Sequence, residues 1–159
     1  MTNNNDKYNG VKFSYIFDPN NLNRRVCVAR RIVGDTIEFA FSVNNPPEYR
    51  IEIDSRGVEQ CKYLVKHGDV FNKAKARMIA FGRLNKTPFV CPNLKDSHPV
   101  KSIAKFVVEN SFTDKGKYVE GVEFDRIVAR TLAAELAWFN LEDAFKAEEK
   151  QWEATEKAS

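Results

Sequence analysis

Two histidines and three cysteines bound the chemistry this chain can perform. Acid–base work through imidazole would rest on His67 or His98 alone, since no other side chain titrates near neutrality without help. The seven glycines are scattered, so no glycine-rich loop exists to cradle a phosphate, and neither a paired-histidine metalloprotease helix nor a nucleophile elbow is present. The best metal set is Cys61, His67, Cys91 and His98, whose thiolates and imidazoles suit tetrahedral zinc. Structural zinc sites present their ligands in close pairs, whereas here five and six residues intervene, so buried thiols and surface imidazoles are the stronger reading. The expectation is a protein without catalytic residues, metal or cofactor.

Charge carries more information than nucleophiles do. The net charge of +3 hides a basic middle and an acidic end: residues 60–117 hold 12 basic and 4 acidic groups, residues 118–159 hold 5 and 10. Lys73, Lys75, Arg77, Arg83 and Lys86 fall on one predicted helix and its exit, followed by Lys101 and Lys105. Such a face can neutralise phosphates and release counterions, the source of sequence-independent nucleic-acid affinity. The competing reading is a solvated helix face, or docking against the acidic C-terminal helix through Glu135, Glu142, Asp143, Glu148 and Glu149. That helix also carries Trp138, Phe145 and Trp152; Trp138 is expected in the core, while Phe145, Glu148, Glu149 and Trp152 form a candidate partner-binding surface or homodimer seam.

The elements that must position these residues follow from pattern. A polar leader, residues 1–10, is expected to be disordered, and residues 11–155 to form one α+β domain. Val11–Phe17 reads as a strand, and Arg24–Val33, Gly34-Asp35 and Thr36–Asn44 read as a hairpin with a two-residue turn. That turn sets Ile32 opposite Ile37, Arg30 opposite Phe39, Val28 opposite Phe41 and Val26 opposite Val43 on a core face. Arg31/Glu38, Ala29/Ala40 and Cys27/Ser42 then lie on a face that is solvated or lightly covered. Arg30 is expected to lie over Phe39.

Tyr49–Ile53 is a short strand, Asp54–Gly57 a turn, and Val58–Lys66 a short helix by its spacing of Val58, Cys61, Leu64 and Val65. A better helix opens at the N-cap Asp69, with Phe71, Ala74, Met78 and Phe81 as its apolar stripe. Thr87–Pro99, with three prolines, reads as a loop; Val100–Asn110 as a helix; and the chain from Glu123 onward as a helix of about 34 residues, with a bend at Asn140.

With 43% hydrophobic and 30% charged residues the composition is that of a globular protein, and no apolar run approaches a bilayer span. Odd, widely spaced cysteines and the absence of a signal-like leader point to a cytoplasmic protein without disulfides.

The segment Asp69-Val70-Phe71-Asn72-Lys73-Ala74-Lys75-Ala76-Arg77-Met78-Ile79-Ala80-Phe81-Gly82-Arg83-Leu84 resembles one in small bacteriophage-encoded accessory proteins, where it also follows a β-hairpin. This chain departs from them by inserting Pro46–Gly68 and by extending its C-terminal helix. Most such proteins have no known function, so the resemblance implies an origin in infected bacterial cells. As a capped helix the motif would place Phe71, Ala74 and Leu84 inward and Lys73 and Arg77 outward. The expected architecture is a small antiparallel sheet covered on one face by helices. The expected role is binding and inhibiting or redirecting a host or defence protein, with nucleic-acid binding, or a small enzyme of unfamiliar motif, as alternatives.

Overall fold

A computed structural model describes residues 8–65, 67–119 and 124–158. Its centre is a four-stranded antiparallel sheet in the order β1 (Lys12–Asp18), β2 (Asn21–Val33), β3 (Thr36–Val43) and β6 (Phe89–Pro92). A separate two-stranded ribbon pairs β4 (Glu48–Ile53) with β5 (Glu59–Val65). Three helices complete the chain: α1 (Lys73–Lys86), α2 (Pro99–Ser111) and α3 (Arg126–Ala158). The fold is α+β, with an antiparallel sheet and a long C-terminal helix.

The β2–β3 hairpin has the register its two-residue turn dictates, with Val28 opposite Phe41 and Val26 opposite Val43. Gly34 takes φ 60° in that turn, a conformation open to glycine at little cost. Val26, Val28, Ile37, Phe39 and Phe41 meet Ile103, Val107, Val128 and Leu132 from α2 and α3.

The opposite face departs from expectation, because its centre is closed off by a helix. Cys27, Ala29 and Ala40 are buried beneath α1 against Ala80 and Leu84. Small side chains there admit a helix at close range, and Ser42 Oγ donates to the Ala76 carbonyl at 2.8 Å. Close approach also decides which side of α1 faces inward. Ala76, Ala80 and Leu84 form the contact, and Ala74 and Met78, expected in the apolar stripe, face solvent.

Four further elements differ from their sequence reading. Residues 59–65 form β5 and not a helix, because Cys61 and Tyr63 alternate at strand period and pair back across the Asp54–Gly57 turn, where Gly57 has φ 78°. Lys66 lies outside the described residues, as do residues 1–7 of the leader, whereas Tyr8 packs edge-on against Phe13 and Phe81. Within the proline-rich loop, Phe89–Pro92 adds an edge strand to β3, where a proline without an amide hydrogen is tolerated. The N-cap of α1 is Asn72, whose Oδ1 accepts from Lys75 N; Asp69 instead accepts from Asn45 N at 2.8 Å. Finally, α3 runs unbroken through Asn140. Glu123 lies outside the described residues, and Asp125 Oδ1 accepts from Ile127 N at 2.7 Å at the start of α3.

Candidate functional site

The first half of α3 is anchored and the second half projects. Val128, Ala129 and Leu132 are buried and Leu136 and Phe139 pack against the same core, but every residue from Asn140 to Glu156 is exposed. Trp138, expected in the core, is 60% exposed, because it lies roughly half a turn round the helix from the Leu132–Leu136 face. Phe145 is 58% and Trp152 66% exposed.

Trp138, Phe145 and Trp152 are seven residues apart, and Leu141 is exposed one turn after Trp138. At 100° per residue these four side chains fall within about 60° of one another, which makes a single aromatic seam. Glu135, Glu142, Glu149 and Glu156 repeat at the same seven-residue interval and run alongside it, while the other flank holds Ala137, Ala144 and Gln151. Glu148 lies between Leu141 and the alanine flank and is the one glutamate on that side of the seam. Of the four partner-binding residues expected from sequence, all are therefore exposed on one projecting segment; Trp138 and Leu141 join them. The seven-residue spacing is the sequence signal that identifies Trp138, and Leu141 is found by its position three residues after Trp138 and four before Phe145.

The glutamate column argues against a homodimer through this helix. An antiparallel pair would set glutamates against glutamates, and a parallel pair would set them against alanine and glutamine, with Glu148 drawn into the seam.

The basic residues do not make one surface. α1 covers one face of the sheet while α2 and α3 cover the other, so Lys73, Lys75 and Lys86 are separated from Lys101 and Lys105 by the whole sheet. Lys101 is ion-paired with Asp143. Arg83 donates to the Phe41 carbonyl at 2.8 Å, and Lys73 lies over the Tyr15 ring. Arg77, expected outward, is half-buried against Tyr15; burial raises the phenol's pKa and Arg77 opposes the rise. The acidic helix meets the basic segments only through Lys101 and Asp143 among the described ion pairs.

A groove of about 800 Å³ opens between residues 8–13 and α1, floored by Tyr8, Phe13, Ala74 and Met78 and edged by Lys75 and Arg77. Among the described residues its lining has side chains for contact but no carboxylate, imidazole or thiol for proton transfer. Cys61, His67, Cys91 and His98 are not brought together, and no group of three or more metal-ligating side chains exists among the described residues. Cys91 is buried in β6, with its thiol pushed up to about 11 by burial. His98 Nδ1 caps α2 by accepting from Val100 N. Arg30 does not lie over Phe39; it donates to Ser14 Oγ at 2.7 Å.

Beneath these surfaces lies a buried ionic junction. Asp18 has no exposed surface and accepts from Arg24 Nη1 at 3.0 Å and from Arg130 Nη2 at 2.6 Å. Arg24 continues to Asn45 and Glu48. The junction ties the β1–β2 turn, the root of the β4–β5 ribbon and α3 together.

No family model matches the chain, and no curated protein or solved structure matches it either. No helix among the described residues is long and apolar enough to cross a membrane.

Proposed function

We propose that this is a non-enzymatic binding protein that holds a partner protein along the projecting half of α3. The observation that supports it is the seam of Trp138, Leu141, Phe145 and Trp152, solvent-exposed and flanked on one side by glutamates. Exposed aromatics in a row are uncommon on a monomer surface and dominate contact energetics where they are found. The acidic flank selects for an apolar partner groove or helix edged with lysine or arginine. On the resemblance of Asp69–Leu84 to phage accessory proteins, that partner is a cytoplasmic protein of a bacterial host or of its defence systems.

The test is affinity capture with the whole chain as bait, beside the double variant Phe145→Ala/Trp152→Ala and the charge reversal Glu149→Lys. One stoichiometric protein retained by wild type and lost by the double variant is the expected result. Charge reversal should weaken binding by roughly tenfold and flatten its salt dependence. Equal retention by the aromatic double variant, or recovery of nothing above background, overturns the proposal.

Nucleic-acid binding through Lys73, Lys75 and Lys86 is the second reading, favoured by their exposure on α1, with Lys75 at the edge of the groove. It requires affinity for unrelated DNA or RNA that falls steeply with salt.

A further inference from the structure

The β4–β5 ribbon is held at its root and bare along its length. Asp69 N donates to the Asn45 carbonyl at 2.9 Å, Asp69 Oδ1 accepts from Asn45 N, and Arg24 reaches both Asn45 and Glu48. Gly68 lies so close that a Cβ there would fall 2.3 Å from Asn45 O. Beyond this root no described side chain of either strand is buried. An isolated two-stranded ribbon is marginal in water, yet this one carries an apolar face. Tyr49 pairs with Tyr63, Ile51 with Cys61 and Ile53 with Glu59, which places these six side chains on one side. Arg50, Lys62, Glu52 and Gln60 occupy the other.

We infer that this face is covered by the same face of a second copy, so that two ribbons pack across a two-fold axis through the Ile51–Cys61 rung. The face is self-complementary about that rung. With the axis across the strands, Ile51 meets Ile51 and Cys61 meets Cys61, Tyr49 covers Ile53, and the Tyr63 hydroxyl donates to Glu59, the one charge on the face. The two tyrosines, two isoleucines and Cys61 are all exposed, together at most roughly 600 Å² per chain, so joining two copies can bury up to roughly 1,200 Å², the lower edge of a specific interface. The opposite face is a poorer candidate, since Arg50 and Lys62 sit directly opposite one another and would be desolvated together.

Sedimentation equilibrium of the full chain between about 5 and 200 μM tests the inference, a range that brackets an interface of this size. Wild type should pass from monomer to dimer, and Ile51→Asp should weaken dimerisation by at least roughly tenfold, while Lys62→Ser on the other face leaves it unchanged. Packed sheets lie about 10 Å apart, beyond direct disulfide reach. A short bismaleimide should therefore link Cys61 to Cys61, and Cys61→Ser should abolish the link while still sedimenting as a dimer. Far-ultraviolet circular dichroism identifies any variant that fails to fold; Tyr49→Ser replaces it. A wild type that stays monomeric throughout, a dimer indifferent to Ile51→Asp and Tyr49→Ser, or a dimer that Cys61 cannot cross-link overturns the inference. The arm on α3 is intact in all these variants, so this outcome is independent of capture by the aromatic seam.

Discussion

Replacing Asp18 by Asn removes the charge from the buried junction and leaves its shape. Asp18 accepts from Asn20 N, Arg24 Nη1 and Arg130 Nε, each at 3.0 Å, and from Arg130 Nη2 at 2.6 Å. An asparagine keeps one oxygen but turns an NH₂ group toward an arginine donor. Breaking a buried ion pair from one side costs about 3–5 kcal/mol, because the remaining charge stays desolvated. Arg24 retains Glu48 and Asn45, and the Arg130 side chain is partly exposed and can rehydrate, so the low end applies: about 3 kcal/mol. With a urea m-value of about 2 kcal/mol/M the unfolding midpoint should fall by about 1.5 M at pH 7. The sign of the pH dependence follows from the carboxyl group. Burial alone would raise its pKa, but hydrogen bonds from Arg130, Asn20 N and Arg24 outweigh it and hold the group below its ordinary value. The wild-type advantage is therefore fully present above the unfolded-state pKa of about 4 and closes as the pH falls through the lower folded-state value. A loss under about 1 kcal/mol at pH 7, or a gap that persists unchanged well below that window, refutes the assignment of Asp18 as an ionised keystone.

Three other outcomes check separate parts of the structure. Gly68→Ala should cost at least about 2 kcal/mol and expose the ribbon root to protease, because its Cβ meets backbone atoms of Asn45, Pro46 and Pro47 that cannot swing aside; near-neutral urea unfolding would contradict this packing. In dilute native protein only Cys61 should react with a thiol reagent, with Cys27 and Cys91 following on unfolding, since both are buried with pKa pushed up to about 11; three fast native thiols would contradict it. Native tryptophan fluorescence should resemble water-exposed indole, be readily quenched by acrylamide and change little on unfolding, whereas a blue-shifted native spectrum would return Trp138 to the core.

The hairpin register was legible because a two-residue turn and a two-residue side-chain period leave one solution, and Val28 opposite Phe41 follows from both. Of the inward side of α1 Leu84 was legible, but hydrophobicity favoured Ala74 and Met78 where shape complementarity to Cys27, Ala29 and Ala40 decided for Ala76 and Ala80. β5 is not legible because Val58, Cys61, Leu64 and Val65 satisfy helical spacing by accident of composition; strand pairing across Asp54–Gly57 is a non-local preference that a short window does not contain. The exposure of Trp138 is hidden in the sequence for a related reason, since tryptophan is usually well buried and the face it occupies is defined only by where Leu132 and Leu136 dock. The exposed Phe145 and Trp152 were legible, being apolar residues in a segment whose other positions are too charged to bury.

A basic middle and an acidic end within one chain invite the idea that the two neutralise each other on folding. The sheet prevents it for α1, and among the described ion pairs Lys101 of α2 alone reaches the acidic helix, at Asp143. Because Cys27, Ala29, Ala40 and Ser42 are small, α1 settles on one face, and because Val26, Val28, Phe39 and Phe41 are large, α2 and α3 fill the other. Alternation along β2 and β3 thus sends the lysines of α1 and the glutamates of α3 to opposite sides of the molecule. The residues that hold this arrangement lie in the sheet, in the first half of α3 and in the Asp18 junction. Those proposed for contact lie beyond them, on the second half of α3 and along the ribbon, where no described side chain is buried. Substitutions at Phe145, Trp152 or Ile51 should therefore change association while moving the unfolding free energy of the dilute, monomeric chain by no more than about 0.5 kcal/mol, which is what separates a surface kept for binding from one kept for folding.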